Sequence, residues 1–306
     1  MAKSAFDVIV CGSLHLDIMV DSPHLPRLDE TVVGSAWSMK CGGKGGNQAV
    51  MPARMGARTA MIGRIGADDF GARLLAHLES AGVDASCVDV DAVAGSGMSV
   101  AILDDKGDYG AVIVSGSNLN MDPKQTARHF EKLGGAPVLL LQNEIPEAVN
   151  LAIAKAARAR GTQVILNAAP ARKPHTNLME YVDMLVVNRV EAEMLSGKPV
   201  FDAASATVAL NELGSNTRDV IITLGGDGLV FQAKDGKPQR LAPHTILVAS
   251  THGAGDCFLG ALAVKRAAGA SLLEACEAAN RTAALFVSTP EDQRAHTNFS
   301  PDATLA

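Results

Sequence analysis

The sequence predicts an α/β protein: a mainly parallel sheet covered on both faces by helices, with a small second sheet beside it. Three observations carry this. Beyond residue 56, short uninterrupted apolar runs alternate with helical runs, and strands apolar throughout belong to parallel sheets buried on both faces. Ala, Val, Leu and Gly are plentiful while aromatic residues make up 4%, which suits closely packed helix–sheet layers. Two regions, near 31–40 and 98–115, alternate instead of running apolar, as half-covered antiparallel strands do.

Taken in order, Thr59–Gly63 reads as a strand and Asp68–Ala81 as a helix. Asp68 is its N-cap, Leu74, Leu75 and Leu78 share one face, and Gly82 stops it. Pro137–Leu141 is a strand, and Pro146–Arg160 a helix with Pro in its first turn and Gly161 after it. Val164–Asn167 and Met184–Asn188 are buried strands, Ala203–Leu213 is a helix ended by Gly214, and Val220–Leu224 and Gly228–Gln232 are strands. Ala-rich helices over 255–268 and 272–288 close the chain. Met98–Leu103 and Gly110–Ser115 flank Asp104–Asp108, whose Gly107 suits a hairpin turn. Thr31–Lys40 contains the single tryptophan, Trp37. These alternating stretches read as a lid over residues 14–40 and 96–116, although an idle surface hairpin has the same pattern.

The 306 residues carry 47% hydrophobic and 20% charged side chains, with no repeat or low-complexity tract. This excludes global disorder and reads as one unit over 1–306. The net charge of −6 argues against a nucleic-acid partner. No run reaches the roughly 18 apolar residues of a membrane span, and the first residues lack a signal-peptide pattern. Five scattered cysteines, with no CxxC pair, suggest a reducing cytoplasm.

Two segments carry chemistry. In Cys41-Gly42-Gly43-Lys44-Gly45-Gly46-Asn47-Gln48-Ala49, four glycines in five positions let the backbone approach a ligand, with Lys44 and Asn47 to bind it. A helix is expected over Asn47–Met55. A tight turn with no ligand would look the same, and neither a P-loop nor a dinucleotide fingerprint is present. In the second segment, Ser250-Thr251-His252-Gly253-Ala254-Gly255-Asp256, a strand over Ile246–Ala249 leads through small residues into a helix. Gly253, Ala254 and Gly255 clear room for an anion on the helix N-terminus. Taken alone, Asp256 serves equally well as a helix cap or as a catalytic base.

Together the segments resemble both signature regions of the ribokinase-like (PfkB-type) carbohydrate kinase family, and most of all its ribokinase branch. Gly56, Gly66, Leu28-Asp29-Glu30-Thr31, Gln142-Asn143-Glu144, Asn167-Ala168-Ala169-Pro170-Ala171, Asn188-Arg189-Val190-Glu191 and Thr223-Leu224-Gly225-Gly226-Asp227-Gly228 extend the match from Gly12-Ser13 to Asn280. The resemblance implies a three-layer sandwich with a β-sheet lid, and an ATP-dependent kinase acting on the primary hydroxyl of a small sugar, by family analogy a pentose. A nucleoside kinase of the same fold is the alternative. A catalytically dead binding regulator would have lost Asp256 or the glycines before it, and both are present.

Residue by residue, the resemblance makes Asp256 the general base beside an anion hole at Gly253, Ala254 and Gly255. It assigns the sugar to His15, Asp17, Gly43, Lys44, Asn47 and Glu144. It assigns the nucleotide to Asn188, Thr223, Gly225, Gly228, Gly255 and Asn280, and Mg2+, through water, to Glu191. It also implies a homodimer joined through the lid, whose outer face would carry some of Val32, Trp37, Val100, Ile102, Val112 and Val114.

Three departures qualify this pattern. His15 stands where ribokinases carry Asn, so the acceptor need not be ribose. Ser250 replaces the Asp that in ribokinases helps hold a monovalent cation. Ser288-Thr289-Pro290-Glu291-Asp292 lacks the Gly-Ala of the partner loop. Ser250 is thus a weak cation ligand, and weak activation by K+ is expected.

Overall fold

Alternate residues of the apolar runs serve two separate cores. The computed structural model describes residues 4–303, apart from 107, 175–176, 215–216, 295 and the side chain of Tyr109. The chain runs β1 (Val8–Cys11), β2 (His15–Ser22), β3 (Ala36–Gly42), α1 (Lys44–Arg54), β4 (Thr59–Gly66), α2 (Asp69–Ser80), β5 (Asp84–Asp91), β6 (Gly97–Asp104) and β7 (Tyr109–Val114). It continues through α3 (Pro123–Lys132), β8 (Val138–Gln142), α4 (Glu147–Ala159), β9 (Gln163–Asn167), β10 (Met184–Asn188), α5 (Arg189–Ser196) and α6 (Ala203–Glu212). It ends with β11 (Asp219–Thr223), β12 (Leu229–Gln232), β13 (Gln239–Leu241), α7 (Ala254–Ala267) and α8 (Leu272–Ser288).

The larger sheet has the order β13-β12-β11-β10-β9-β8-β1-β4-β5, parallel except for the antiparallel β12 and β13. Ile9, Cys11, Leu139 and Leu141 point to one core, with Phe130 of α3, Ile153 of α4, Ala192 of α5 and Leu210 of α6. Val8, Val10 and Leu140 point to the other, with Val50 of α1, Leu74 of α2, Leu259 of α7 and Ala275 of α8. This is the expected three-layer sandwich, and no helix among the described residues is long and apolar enough to cross a membrane.

Some expectations change. Helix α1 begins at Lys44, not Asn47. Residues Ile246–Ala249 form no strand; β13 already occupies that sheet edge, and Ala249 and Ser250 donate their N–H groups to Val287 O at the end of α8. Strand β5 and helix α3 were not anticipated. Asp84, Asp89 and Asp91 interrupt the apolar pattern of β5, an edge strand, and α3 buries only Thr126, His129 and Phe130.

The second sheet has the order β3-β2-β6-β7. Its outer pairs are antiparallel, but β2 and β6 run parallel. That pairing needs a long crossover, and the chain from α1 through β5 provides it. Gly107 lies outside the described residues.

The entries to this sheet are pinned to the main body. The buried Asn118 side chain accepts from Leu14 N (2.9 Å) and donates to Leu14 O (2.9 Å) and Ser115 O (2.8 Å). Asp68 caps α2 through Gly71 N and also accepts from Ser96 N (2.7 Å), one residue before β6. Asn118→Ala should therefore destabilise the protein by about 2–4 kcal/mol, since each buried polar group left unpaired costs roughly 1–3 kcal/mol. Urea unfolding measures this, and a loss within 0.5 kcal/mol or so, as at ordinary surface positions, would contradict the pinning.

Candidate active site

The carboxyl ends of β1, β8, β9, β10 and β11 open toward the small sheet, where ligands of open α/β sheets bind. Between them lies a cleft of about 900 Å3. Its lid side presents His15, Asp17 and Met19 of β2, Lys40 of β3 and Ser99 and Ala101 of β6. Its floor comes from Gly43, Lys44 and Asn47, from Glu144, Asn167, Asn188, Glu191 and Thr223 at the strand ends, and from Thr251–Asp256.

The glycines of the first segment seat α1 against the protein itself. A Cβ on Gly45 would lie 2.5 Å from Ser13 N, and one on Gly43, whose φ is 81°, would lie 2.8 Å from His15 N. Gly12 leaves equally little room, since a Cβ there would lie 1.8 Å from Gln142 Oε1. Close approach to Ser13–His15, rather than to a ligand, thus explains most of this run. The result is that Lys44 N donates to Glu144 Oε2 at 2.9 Å, and Ser13 Oγ donates to the same oxygen.

The second segment is built differently. Gly253 caps α7 in the left-handed region, at φ 79°, where Gly is favoured. A Cβ on Gly255 would meet nothing within 4 Å, so its backbone stands open to the cleft. The first-turn N–H groups of a helix have no intrahelical partner and carry a partial positive charge. These features make an anion cradle.

Asp256 sits in that first turn. Its Oδ2 accepts from Asn47 Nδ2 and its Oδ1 from Gln48 Nε2, both at 3.0 Å. Gln48 is oriented by Gln142, whose Nε2 donates to Gln48 Oε1 at 2.8 Å. Burial pushes the Asp256 carboxyl above the usual carboxylate range, while the Gln48 amide, the Lys44 ammonium and the Asn47 amide act against it. Across the cleft, Asn188 caps α5, and Glu191 N donates to Asn188 Oδ1 while Asn188 N donates to Glu191 Oε2, each at 2.9 Å. Burial raises Glu191 as well, again opposed by Lys44. Lys44 thus acts on both carboxylates.

Of the residues predicted from sequence, His15, Asp17, Gly43, Lys44, Asn47, Glu144, Asn188, Glu191, Thr223, Gly253, Ala254, Gly255 and Asp256 line this one cleft. Gly225, Gly228, Ser250 and Asn280 do not. Gly228, at φ 85°, makes room for β13, because a Cβ there would lie 2.2 Å from Leu241 O. Asn280 Nδ2 donates to Ala242 O, and Ser250 Oγ donates to Glu291 Oε1 at 2.7 Å. Gln48, which holds the Asp256 carboxylate, and Gln142, which orients Gln48, were missed. Both lie inside quoted motifs, but nothing in spacing marks them, because their partners are distant in sequence.

The model of the pfkB family of carbohydrate kinases matches residues 5–298. The chain belongs to this family. It is 32% identical over 282 residues to a ribokinase of Bacillus subtilis, covering 92% of each chain. It is 30% identical over 262 residues to a deoxyribokinase of Salmonella typhimurium, covering 84% of each. Among solved structures, Arabidopsis thaliana ribokinase complexed with ribose and ATP superposes with a TM-score of 0.84 at 29% identity, covering 93% of each chain. The chain is a carbohydrate kinase of ribokinase-like fold.

If Asp256 takes the acceptor proton, Asp256→Asn should lower turnover by roughly 10²–10⁴ with the fold retained. Gln48→Met tests the geometry around this carboxylate. The Gln48 hydrogen bond favours the charged carboxylate, so removing it raises the Asp256 pKa. A carboxylate that accepts a proton works deprotonated, so the acid limb of the kcat/KM profile should move to higher pH. An unmoved limb would detach Gln48 from that role.

Proposed function

We propose that this enzyme transfers the γ-phosphoryl group of ATP to the primary hydroxyl of a small sugar, most simply a pentose. The observation that carries this reading is the joint placement of a two-amide-held carboxylate, Asp256, and an open helix N-terminus in one cleft with the diol-competent carboxylate Asp17. The sugar oxygen forms its bond to the γ-phosphorus as the bond to the ADP oxygen breaks, and Asp256 takes the hydroxyl proton. The N–H groups at Gly253–Asp256 stabilise the charge on the transferring group. Asn188 and Thr223 position the donor, and Lys44 lies with the acceptor residues at the start of α1.

Glu191 and Asn188 fit Mg2+ through water rather than directly. One Glu191 oxygen is already used by Asn188 N, and no cluster of three potential ligands occurs among the described residues. When bound, the ion neutralises phosphate charge.

For the acceptor, Asp17 Oδ1 accepts from Ser99 Oγ at 2.5 Å, which leaves the carboxylate room for a sugar diol. His15 is 4% exposed, and its Nε2 has no hydrogen-bond partner among the described residues. An unpaired buried nitrogen is costly, and an acceptor hydroxyl would satisfy it. A nucleoside is the second reading, favoured by the apolar strip Met19, Ala101, Leu103 and Ile113 inside the lid, on which a base could stack. Coupled assays over pentoses, hexoses and nucleosides, with NMR of the product, separate the two. A pentose phosphorylated at its primary hydroxyl is expected, and Asp17→Asn should cut kcat/KM by roughly ten- to a hundredfold, the worth of a charged hydrogen bond. Preference for a nucleoside, or transfer to no sugar, would overturn this reading.

The lid's outer face supports a homodimer. Trp37 is 67% exposed, Val112 66% and Val114 50%, and in register they lie with Val20, Ile102 and Val100 on one face. An apolar sheet face on a lone molecule invites association, and a two-fold pairing of lids would cover it. Five free cysteines support a reducing, cytoplasmic setting. Sedimentation should show a dimer at micromolar concentration that Val112→Glu or Val114→Glu dissociates; a monomeric wild type, or a dimer indifferent to both charges, would reject this interface.

A further inference from the structure

Behind the anion cradle, two loops meet: 249–253, which leads into α7, and 287–294, which follows α8. In the sequence pattern, these are the loops that would hold a monovalent cation. The residues present do not fit one. Ser250 stands at the acidic position, and its hydroxyl is spent on Glu291 Oε1 at 2.7 Å. Glu291 is in turn paired with Lys40 Nζ at 2.7 Å, which holds its carboxyl far below the usual range, at about 2.

The backbone oxygens of the two loops are also taken. Arg294 donates from Nη2 to Ser250 O (2.7 Å), from Nη1 to His252 O (2.9 Å) and from Nε to Thr289 O (3.0 Å). The side chain is only 7% exposed. Its guanidinium lies 4.1 Å from the centroid of Phe286, a favourable place for a cation. Phe286 is also the ring that a Cβ on Gly253 would approach to 3.3 Å. Among the described residues Arg294 forms no salt bridge. A buried charge is tolerated when it is hydrogen-bonded, and here three of the five guanidinium N–H groups reach carbonyl oxygens. Carbonyl oxygens converging from two loops are the kind of ligand that a potassium ion would also use.

We propose that Arg294 is a tethered replacement for the monovalent cation: its guanidinium joins the two loops, fixes Gly253 at the head of α7, and makes the enzyme independent of potassium. Arg294 is a positioning residue. It acts on the transferring phosphoryl group only through the cradle it holds, and its fixed charge adds to the potential there. This rests on the kinase reading for its turnover arm alone, because the second arm needs no acceptor.

Turnover is measured at fixed ionic strength in potassium, sodium and tetramethylammonium salts, and the thermal midpoint of the ligand-free protein in the same salts. Wild type should vary less than about twofold in rate, the scale of residual screening differences, with no potassium-specific rise in midpoint. Arg294→Ala should lose roughly ten- to a thousandfold in kcat, bounded by the loss of one anion-hole donor. It should regain activity with guanidinium or potassium, which a purely packing role would not allow, and Arg294→Lys should keep more activity than the Ala variant. A potassium-selective rise of tenfold or so in wild-type rate, or a stabilisation by potassium that follows binding linkage, overturns the proposal. So does an Arg294→Ala protein that turns over like wild type, or one that folds and is rescued by neither cation. If that variant does not fold, the wild-type salt series decides.

Discussion

The interaction on which this molecule depends is the double amide clamp on Asp256. Asn47 and Gln48 lie 209 and 208 positions earlier in the chain, yet their side chains take one oxygen each. Hydrogen bonds to a charged group contribute about 1.5–3 kcal/mol, enough to keep a half-buried carboxylate oriented and ionisable. The clamp continues through Gln48 to Gln142 and from Gln142 O to Asn150 Nδ2. A polar chain through the sandwich thus joins α7, α1, β8 and α4, and Asp256 cannot shift without disturbing all four.

Three helix N-termini reach the cleft, those of α1, α5 and α7, and the chain treats α1 and α7 differently. The N-terminus of α1 is met from within, because Glu144 accepts from Lys44 N. A carboxylate there neutralises the helix dipole and leaves that end no need of an outside anion. Among the described residues the N-terminus of α7 meets no such carboxylate beyond Asp256 itself, and Gly255 keeps it open. This asymmetry leaves α7, and not α1, free to take an anion. The Lys44 ammonium at the start of α1 acts on both Asp256 and Glu191.

The lid obeys the same economy. Strand alternation divides β2 into an inner set, His15, Asp17 and Met19, and an outer set, Leu16, Ile18 and Val20. The pins at Asn118 and Asp68 hold the chain where it leaves the body, while Lys40 reaches back to Glu291. The Lys40 contact with the 287–294 loop is therefore ionic and exposed, whereas the roots of the small sheet are buried and hydrogen-bonded.

The sequence by itself determined the layers and the chemistry. Runs such as Val138–Gln142 are stable between two apolar faces, and a Gly-Ala-Gly-Asp run before a helix marks an end that small residues can leave open to an anion. Thirteen of the predicted site residues therefore meet in one cleft. Tertiary structure decided what long-range partners require. The start of α1 at Lys44 depends on Glu144, the parallel pairing of β2 with β6 on a crossover through β5, and the irregular path of 246–249 on a sheet edge already filled by β13. Gln48, Gln142 and Arg294 carry no local signal, because a hydrogen bond between residues far apart in the chain leaves no periodicity. Their roles exist only once the two halves of the sandwich have closed on each other.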